Sequence, residues 1–164
     1  MDAVYHVGMA DIIVTSAPAT LVTLGLGSCI GLVLFDTIGK VAGMAHIMLP
    51  ESHSIGGVPV EKPGKFADTA VPVLIDEVCK RGALRSRLKA KMAGGAQMFS
   101  LAGNQSEFLA VGARNIRETT EMLRKCSISL VSSDTGGNRG RSVEFSTLTW
   151  VLAVKTLGKG RVDI

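Results

Sequence analysis

Thr23-Leu24-Gly25-Leu26-Gly27-Ser28-Cys29, followed at once by Ile30-Gly31-Leu32-Val33-Leu34-Phe35, is the stretch that decides the fold. A glycine-rich turn after an apolar run invites comparison with a dinucleotide-binding loop. That loop needs a third glycine at position 30, where Ile30 stands, and it must open a helix so that the pyrophosphate meets the helix N-terminus. Here the turn opens a second apolar run of strand character. The stretch is therefore strand, tight turn, strand, with a cysteine at the turn.

Working outward, the first fifty residues read as β structure. Asp11 to Ser16, Leu21 to Leu24, Ile30 to Phe35 and Val41 to Met48 are short apolar runs. Ala17-Pro18, Gly25 to Gly27 and Asp36 to Gly39 punctuate them. Ser52 to Gly64 is a polar loop. A helix is expected from Phe66 or Asp68 to Lys80, ended by Gly82, with Pro72 tolerated only near its first turn. Leu88 to Met92 reads as a strand running into Gly94-Gly95. A second helix is expected from Asn115, with Asn115 as its cap and Glu118 three residues on. Ile128 to Ser132, Ser142 to Phe145 and Leu148 to Val154 close the chain as strands. The helices follow the first run of strands, which excludes a regular doubly wound fold and points to a layered α/β or α+β domain. With 164 residues and no linker, repeat or low-complexity tract, residues 1–164 form a single domain.

Composition narrows the function classes. Hydrophobic residues make up 46% and aromatics only 4%, so the core rests on aliphatic side chains. The net charge is +4, but Lys and Arg are scattered and not interleaved with aromatics, so no nucleic-acid interface is expected. No apolar run is long enough for a membrane span and no leader is recognised at Met1, so a cytoplasmic protein without membrane insertion is expected. The three cysteines, Cys29, Cys79 and Cys126, are widely spaced and give neither a disulfide framework nor a zinc site.

Cys29 in its glycine turn has the surroundings of a nucleophile. Backbone N–H groups beside the sulfur, at Gly27 and Ser28, could hold an oxyanion. A plain buried cysteine is the alternative. Seventeen residues on, His46 sits in Gly43-Met44-Ala45-His46-Ile47-Met48-Leu49-Pro50, where a strand would fix its ring as a general base must be fixed. His6 and His53 compete for that role. Thr23 is the candidate to orient the imidazole, with Asp36, Asp68 and Asp134 as acidic alternatives. Two further glycine-containing runs could line a site: Lys91 to Phe99, with Gly94, Gly95 and Gln97, and Asp134 to Arg141, with Thr135 and Asn138. Each reads equally well as a structural turn.

Together these motifs resemble the chemoreceptor glutamine deamidase family, CheD. The resemblance is carried by Thr23 to Cys29, Gly43 to Pro50, Lys62 to Ala70, Gly94 to Phe99, Gly112 to Asn115, and Asp134 to Asn138 with Arg141, in one order over residues 5–155. It implies an α/β/β/α layered sandwich of the α+β class, like that of the cytotoxic deamidase toxins. It implies hydrolysis of glutamine side-chain amides on chemoreceptor cytoplasmic domains, with Cys29 as nucleophile, His46 as base and Thr23 as third residue. No metal or organic cofactor is implied. The CheC phosphatase is implied as a possible regulatory partner. Two other functions fit the same residues: a chemotaxis adaptor with little catalysis, and a cysteine peptidase or transglutaminase sharing the thioester chemistry.

Overall fold

The computed structural model describes residues 2–52, 61–98 and 110–164. Among the described residues ten strands form two five-stranded sheets. One sheet has the order β2-β5-β4-β6-β7 and the other β1-β3-β8-β9-β10. The strands are β1 Ala3–His6, β2 Ile12–Ser16, β3 Ala19–Leu26, β4 Ile30–Asp36, β5 Val41–Ile47, β6 Lys89–Gly94, β7 Ser129–Thr135, β8 Arg141–Ser146, β9 Leu152–Thr156 and β10 Gly160–Asp163. Helix α1 spans Ala67–Lys80 and α2 spans Val111–Lys125.

β4 and β5 are buried along their whole length, which is why they read as unbroken apolar runs. They pair antiparallel at the centre of their sheet. Alternation then divides their side chains. Ile30, Leu32, Leu34, Ala45 and Ile47 face the helices, packing on Val71, Leu74, Ile75 and Val78 of α1 and Leu123 of α2. Val33, Phe35, Ala42 and Met44 face the second sheet and meet Leu21, Leu26, Val143, Phe145 and Leu152. The layers are thus helices, sheet, sheet. The α+β layered sandwich is as expected; among the described residues both helices lie on one side, and none forms an outer layer on the second sheet.

Four expectations need correction. α2 begins at Val111, so Asn115 lies inside the helix, fully buried, and caps nothing. β6 and β7 are parallel neighbours joined through α2, so one β–α–β crossover does exist in the fold. Leu148 to Val151 lies outside any strand, and the strand starts at Leu152. β1 and β10 were not expected at all; both are short and exposed throughout. α1 runs through Pro72 without ending. The part of the polar loop at 53–60 that includes His53 lies outside the described residues.

Candidate active site

The inter-sheet layer ends in a group of polar side chains. On β5, His46 follows Ala42 and Met44 on the face towards the second sheet and is 2% exposed. Its register partner on β4 is Gly31. His46 exchanges its backbone bonds with β2's side, donating from N–H to Asp11 O and accepting from Ala10 N–H. The Gly31–His46 pair is therefore a non-hydrogen-bonded one, in which facing residues come closest. Gly31 has no side chain, so the space above it is filled from the other sheet. A Cβ there would meet Leu26 Cδ1 at 3.1 Å and Thr23 Cγ2 at 3.3 Å. Two residues before Gly31, on the same face, is Cys29, packed half-buried against the inter-sheet core. Carried one residue back from the start of β4, the β4–β5 register sets Cys29 diagonal to His46, and the β4 position between them, Gly31, has no side chain.

Thr23 reaches His46 from the second sheet. β3 bulges between Thr23 and Leu26, with Gly25 at φ 68°, and the strand bends there into the Cys29 turn. Thr23 itself points inward, 1% exposed. Its Oγ1 lies 2.6 Å from Val7 O and 2.7 Å from His46 Nδ1. A carbonyl can only accept, so the single hydroxyl proton goes to Val7 and the hydroxyl must accept from Nδ1–H. The neutral ring therefore carries its proton on Nδ1. Nε2 is left as an unprotonated lone pair, buried and without a partner among the described residues.

Burial pushes the Cys29 thiol above its ordinary value. Burial also lowers His46, partly offset by the Val7 carbonyl and the Asp11 carboxylate. Both shifts favour the uncharged pair, thiol and imidazole, at rest.

Beside Cys29 opens a cleft of about 360 Å³, lined by Gly25, Gly27, Ser28, Ala96, Gln97, Met98, Val111 and Gly112 as well as Cys29. Gly27 leaves room for Met98, whose Cγ would lie 3.1 Å from a Cβ at that position. Of the candidates in the Cys29 turn, Gly27 and Ser28 line this cleft. Gly95 instead donates its N–H to Cys29 O, and Gly94 sits so close that a Cβ would come 2.1 Å from the same oxygen. Both hold the Cys29 turn from behind. Gln97 is on the cleft wall, its N–H bonded to Gly137 O.

Asp134, Thr135 and Asn138 are not among the described residues lining the cleft. Asp134 pairs with Arg141 at 3.2 Å, and Arg141 in turn donates to Gly94 O and Gly136 O, tying the glycine turn to β6. The other acidic alternatives are also occupied elsewhere. Asp36 ends β4 and accepts from the N–H groups of Ile38, Gly39 and Leu84 and from Arg87. Burial opposes its charge, but these donors win and hold its carboxyl well below the usual carboxylate range. Asp68 accepts from Ser52. His6 is exposed on β1. Thr23 alone of the named candidates touches His46.

One residue that the sequence placed wrongly is in the site's support. Asn115 donates from Nδ2 to Ser28 O at 2.8 Å and to Met48 O at 3.0 Å. Its approach depends on Gly112 one turn earlier, where a Cβ would meet Ala96 O at 2.3 Å and Gly95 O at 2.6 Å. Among the described residues no cluster of His, Cys, Asp and Glu could hold a metal ion, and no helix is long and apolar enough to cross a membrane.

Residues 48–156 match the family model described as CheD chemotactic sensory transduction. The "Probable chemoreceptor glutamine deamidase CheD" of Caldanaerobacter subterraneus subsp. tengcongensis is 50% identical over 157 residues, 96% of this chain and 95% of that one. The "Chemoreceptor glutamine deamidase CheD" of Halalkalibacterium halodurans is 46% identical over 164 residues, the whole of both chains. Among solved structures, the hypothetical protein YfiH of Bacillus licheniformis aligns with 84% of this chain and 59% of its own, at 11% identity and a TM-score of 0.45.

Proposed function

The chain belongs to the CheD family, and from that premise we propose that it hydrolyses glutamine side chains of chemoreceptors to glutamate through a thioester on Cys29. The observation that carries this reading is the Thr23–His46 bond. It fixes the ring with Nδ1 protonated and Nε2 available, the one tautomer that can take a proton from Cys29.

The glutamine amide enters the cleft lined by Gly27, Ser28 and Met98. His46 Nε2 takes the thiol proton as Sγ bonds to Cδ, and the carbonyl π pair moves onto oxygen. The N–H groups of Ser28 and Cys29 have no acceptor among the described residues and supply the donors for that oxyanion. Collapse breaks the Cδ–N bond, and the imidazolium protonates the departing nitrogen, releasing ammonia and leaving a thioester. Water then gives a proton to Nε2 and its oxygen to Cδ. The thiolate leaves and recovers the proton. The sum is glutamine plus water to glutamate plus ammonia. Acid–base work and the acyl carrier all come from the chain, so the cycle calls for no metal or organic cofactor. A cytoplasmic location follows from the receptor domains acted on, and a CheC-type phosphatase is the expected regulatory partner.

Hydroxylamine tests the covalent step. Added to the protein and a receptor cytoplasmic fragment, it intercepts the thioester and yields a γ-glutamyl hydroxamate at the target glutamine. Wild type should form the hydroxamate and Cys29→Ala none. Hydroxamate formation by Cys29→Ala would overturn the assignment of the nucleophile.

A further inference from the structure

Three consecutive carbonyls around the nucleophile are held by donors from distant parts of the chain. Ala96 N–H bonds Gly27 O and Gly95 N–H bonds Cys29 O, each at 2.9 Å. The middle one, Ser28 O, is held by a side chain, Asn115 Nδ2, at 2.8 Å. The second hydrogen of that amide goes to Met48 O, two residues beyond His46. One fully buried group on α2 therefore ties the turn that carries Cys29 to the strand end that carries His46.

The peptide between Ser28 and Cys29 is trans, since the one cis bond in the described chain is Ala17–Pro18. In a trans peptide the carbonyl and the following N–H point in opposite directions. Drawing Ser28 O onto α2 therefore turns the Cys29 N–H away from the helix, and that N–H finds no acceptor among the described residues. Ser28 and Cys29 both line the cleft. Packing alone does not account for an asparagine here. Its Oδ1 is buried without a partner among the described residues, an unfavourable state that an apolar side chain would avoid.

We infer that Asn115 is the positioning residue of the oxyanion site: by holding Ser28 O it aims the Cys29 N–H at the oxygen of the tetrahedral adduct. This rests on Cys29 being the nucleophile. It makes Asn115 matter for additions that place charge on oxygen and not for the reactivity of the sulfur itself.

Two reactions of the same thiol separate those roles. Iodoacetamide forms an S–C bond and expels iodide, with no oxyanion. A peptide whose glutamine amide is replaced by an aldehyde adds the thiol across C=O, the π pair going to oxygen and the thiol proton following it. In Asn115→Ala, aldehyde affinity should fall about 10- to 100-fold, the order of a misdirected oxyanion donor, while alkylation stays within about threefold. Asn115→Thr fills the space and should behave the same way, which keeps the test available if the alanine variant does not fold. Loss of both reactions together, or of neither, overturns the inference. So does a wild type that alkylates but binds no aldehyde. A wild type that binds the aldehyde yet leaves receptor glutamines unchanged refutes the proposed function and leaves the role of Asn115 standing.

Discussion

Replacing Thr23 by valine removes one hydroxyl and almost no volume, and the consequences can be worked from two distances. The hydroxyl bridges Val7 O at 2.6 Å and His46 Nδ1 at 2.7 Å, all of it buried. Valine leaves one acceptor and one donor without partners, at about 1–3 kcal/mol each, so the protein should lose about 2–6 kcal/mol of stability. Such a loss corresponds to a fall in unfolding midpoint of roughly 4–24 °C for a chain of this size. Catalysis suffers separately. With no acceptor at Nδ1, the ring loses the bond that selects its tautomer, worth about 1–3 kcal/mol, and kcat should fall about 10- to 100-fold at about 1.4 kcal/mol per decade. Thr23→Ser keeps the hydroxyl and should stay within about threefold of wild type in kcat. Ammonia release measures kcat, thermal denaturation measures stability, and nitrogen chemical shifts of the His46 ring report which nitrogen is protonated. A Thr23→Val protein with unchanged kcat and Nδ1 still protonated would refute the reasoning.

The uncharged resting pair has a spectroscopic signature: no thiolate absorbance near 240 nm at neutral pH, with alkylation of Cys29 accelerating only in the alkaline range above its ordinary value of 9.0. A thiolate band at pH 7 that Cys29→Ala removes would show an ion pair instead. His46 is lowered in the folded protein from 6.5, so the unfolded chain binds its proton first. Stability is then fully present above pH 6.5 and is lost as pH falls from there towards the folded value, and the acid limb of kcat/KM should lie below 6.5; a limb above it contradicts the burial argument. Asp36→Ala leaves Arg87 and three N–H groups without their acceptor and should cost about 3–5 kcal/mol by denaturant titration, while kcat per folded molecule is unchanged. Gly112→Ala drives a Cβ into the carbonyls of Gly95 and Ala96 and should lower both stability and kcat, because those residues hold the Cys29 turn; an unchanged kcat would separate that loop from catalysis.

β4 and β5 were legible because burial on both faces writes itself as an unbroken apolar run, and the glycine turn between β3 and β4 is local chemistry. Cys29, His46 and Thr23 stood out from the turn and the resemblance, and parity along the strands shows why they can meet. Asn115 was not legible. An asparagine before an amphipathic segment looks the same whether it caps the helix or, as here, lies four residues inside it and donates to Ser28 O and Met48 O. The spacing of Gly112 before it, three residues as in a helix turn pressed on a loop, was the available signal. Gly31 was equally silent, since its lack of a side chain matters only once Thr23 from another sheet occupies the space. β1 and β10 are exposed edge strands whose pairing is set by β3 and β9, so no periodicity in their own residues marks them.

The most direct test of the central claim is peptide mass analysis of a chemoreceptor cytoplasmic fragment incubated with wild type and with Cys29→Ala. Conversion of glutamine to glutamate, a gain of roughly one dalton at an intact side chain, by wild type and not by the variant is the predicted result. Equal conversion by both proteins, or chain cleavage or cross-linking in place of conversion, would contradict a glutamine hydrolase built on Cys29.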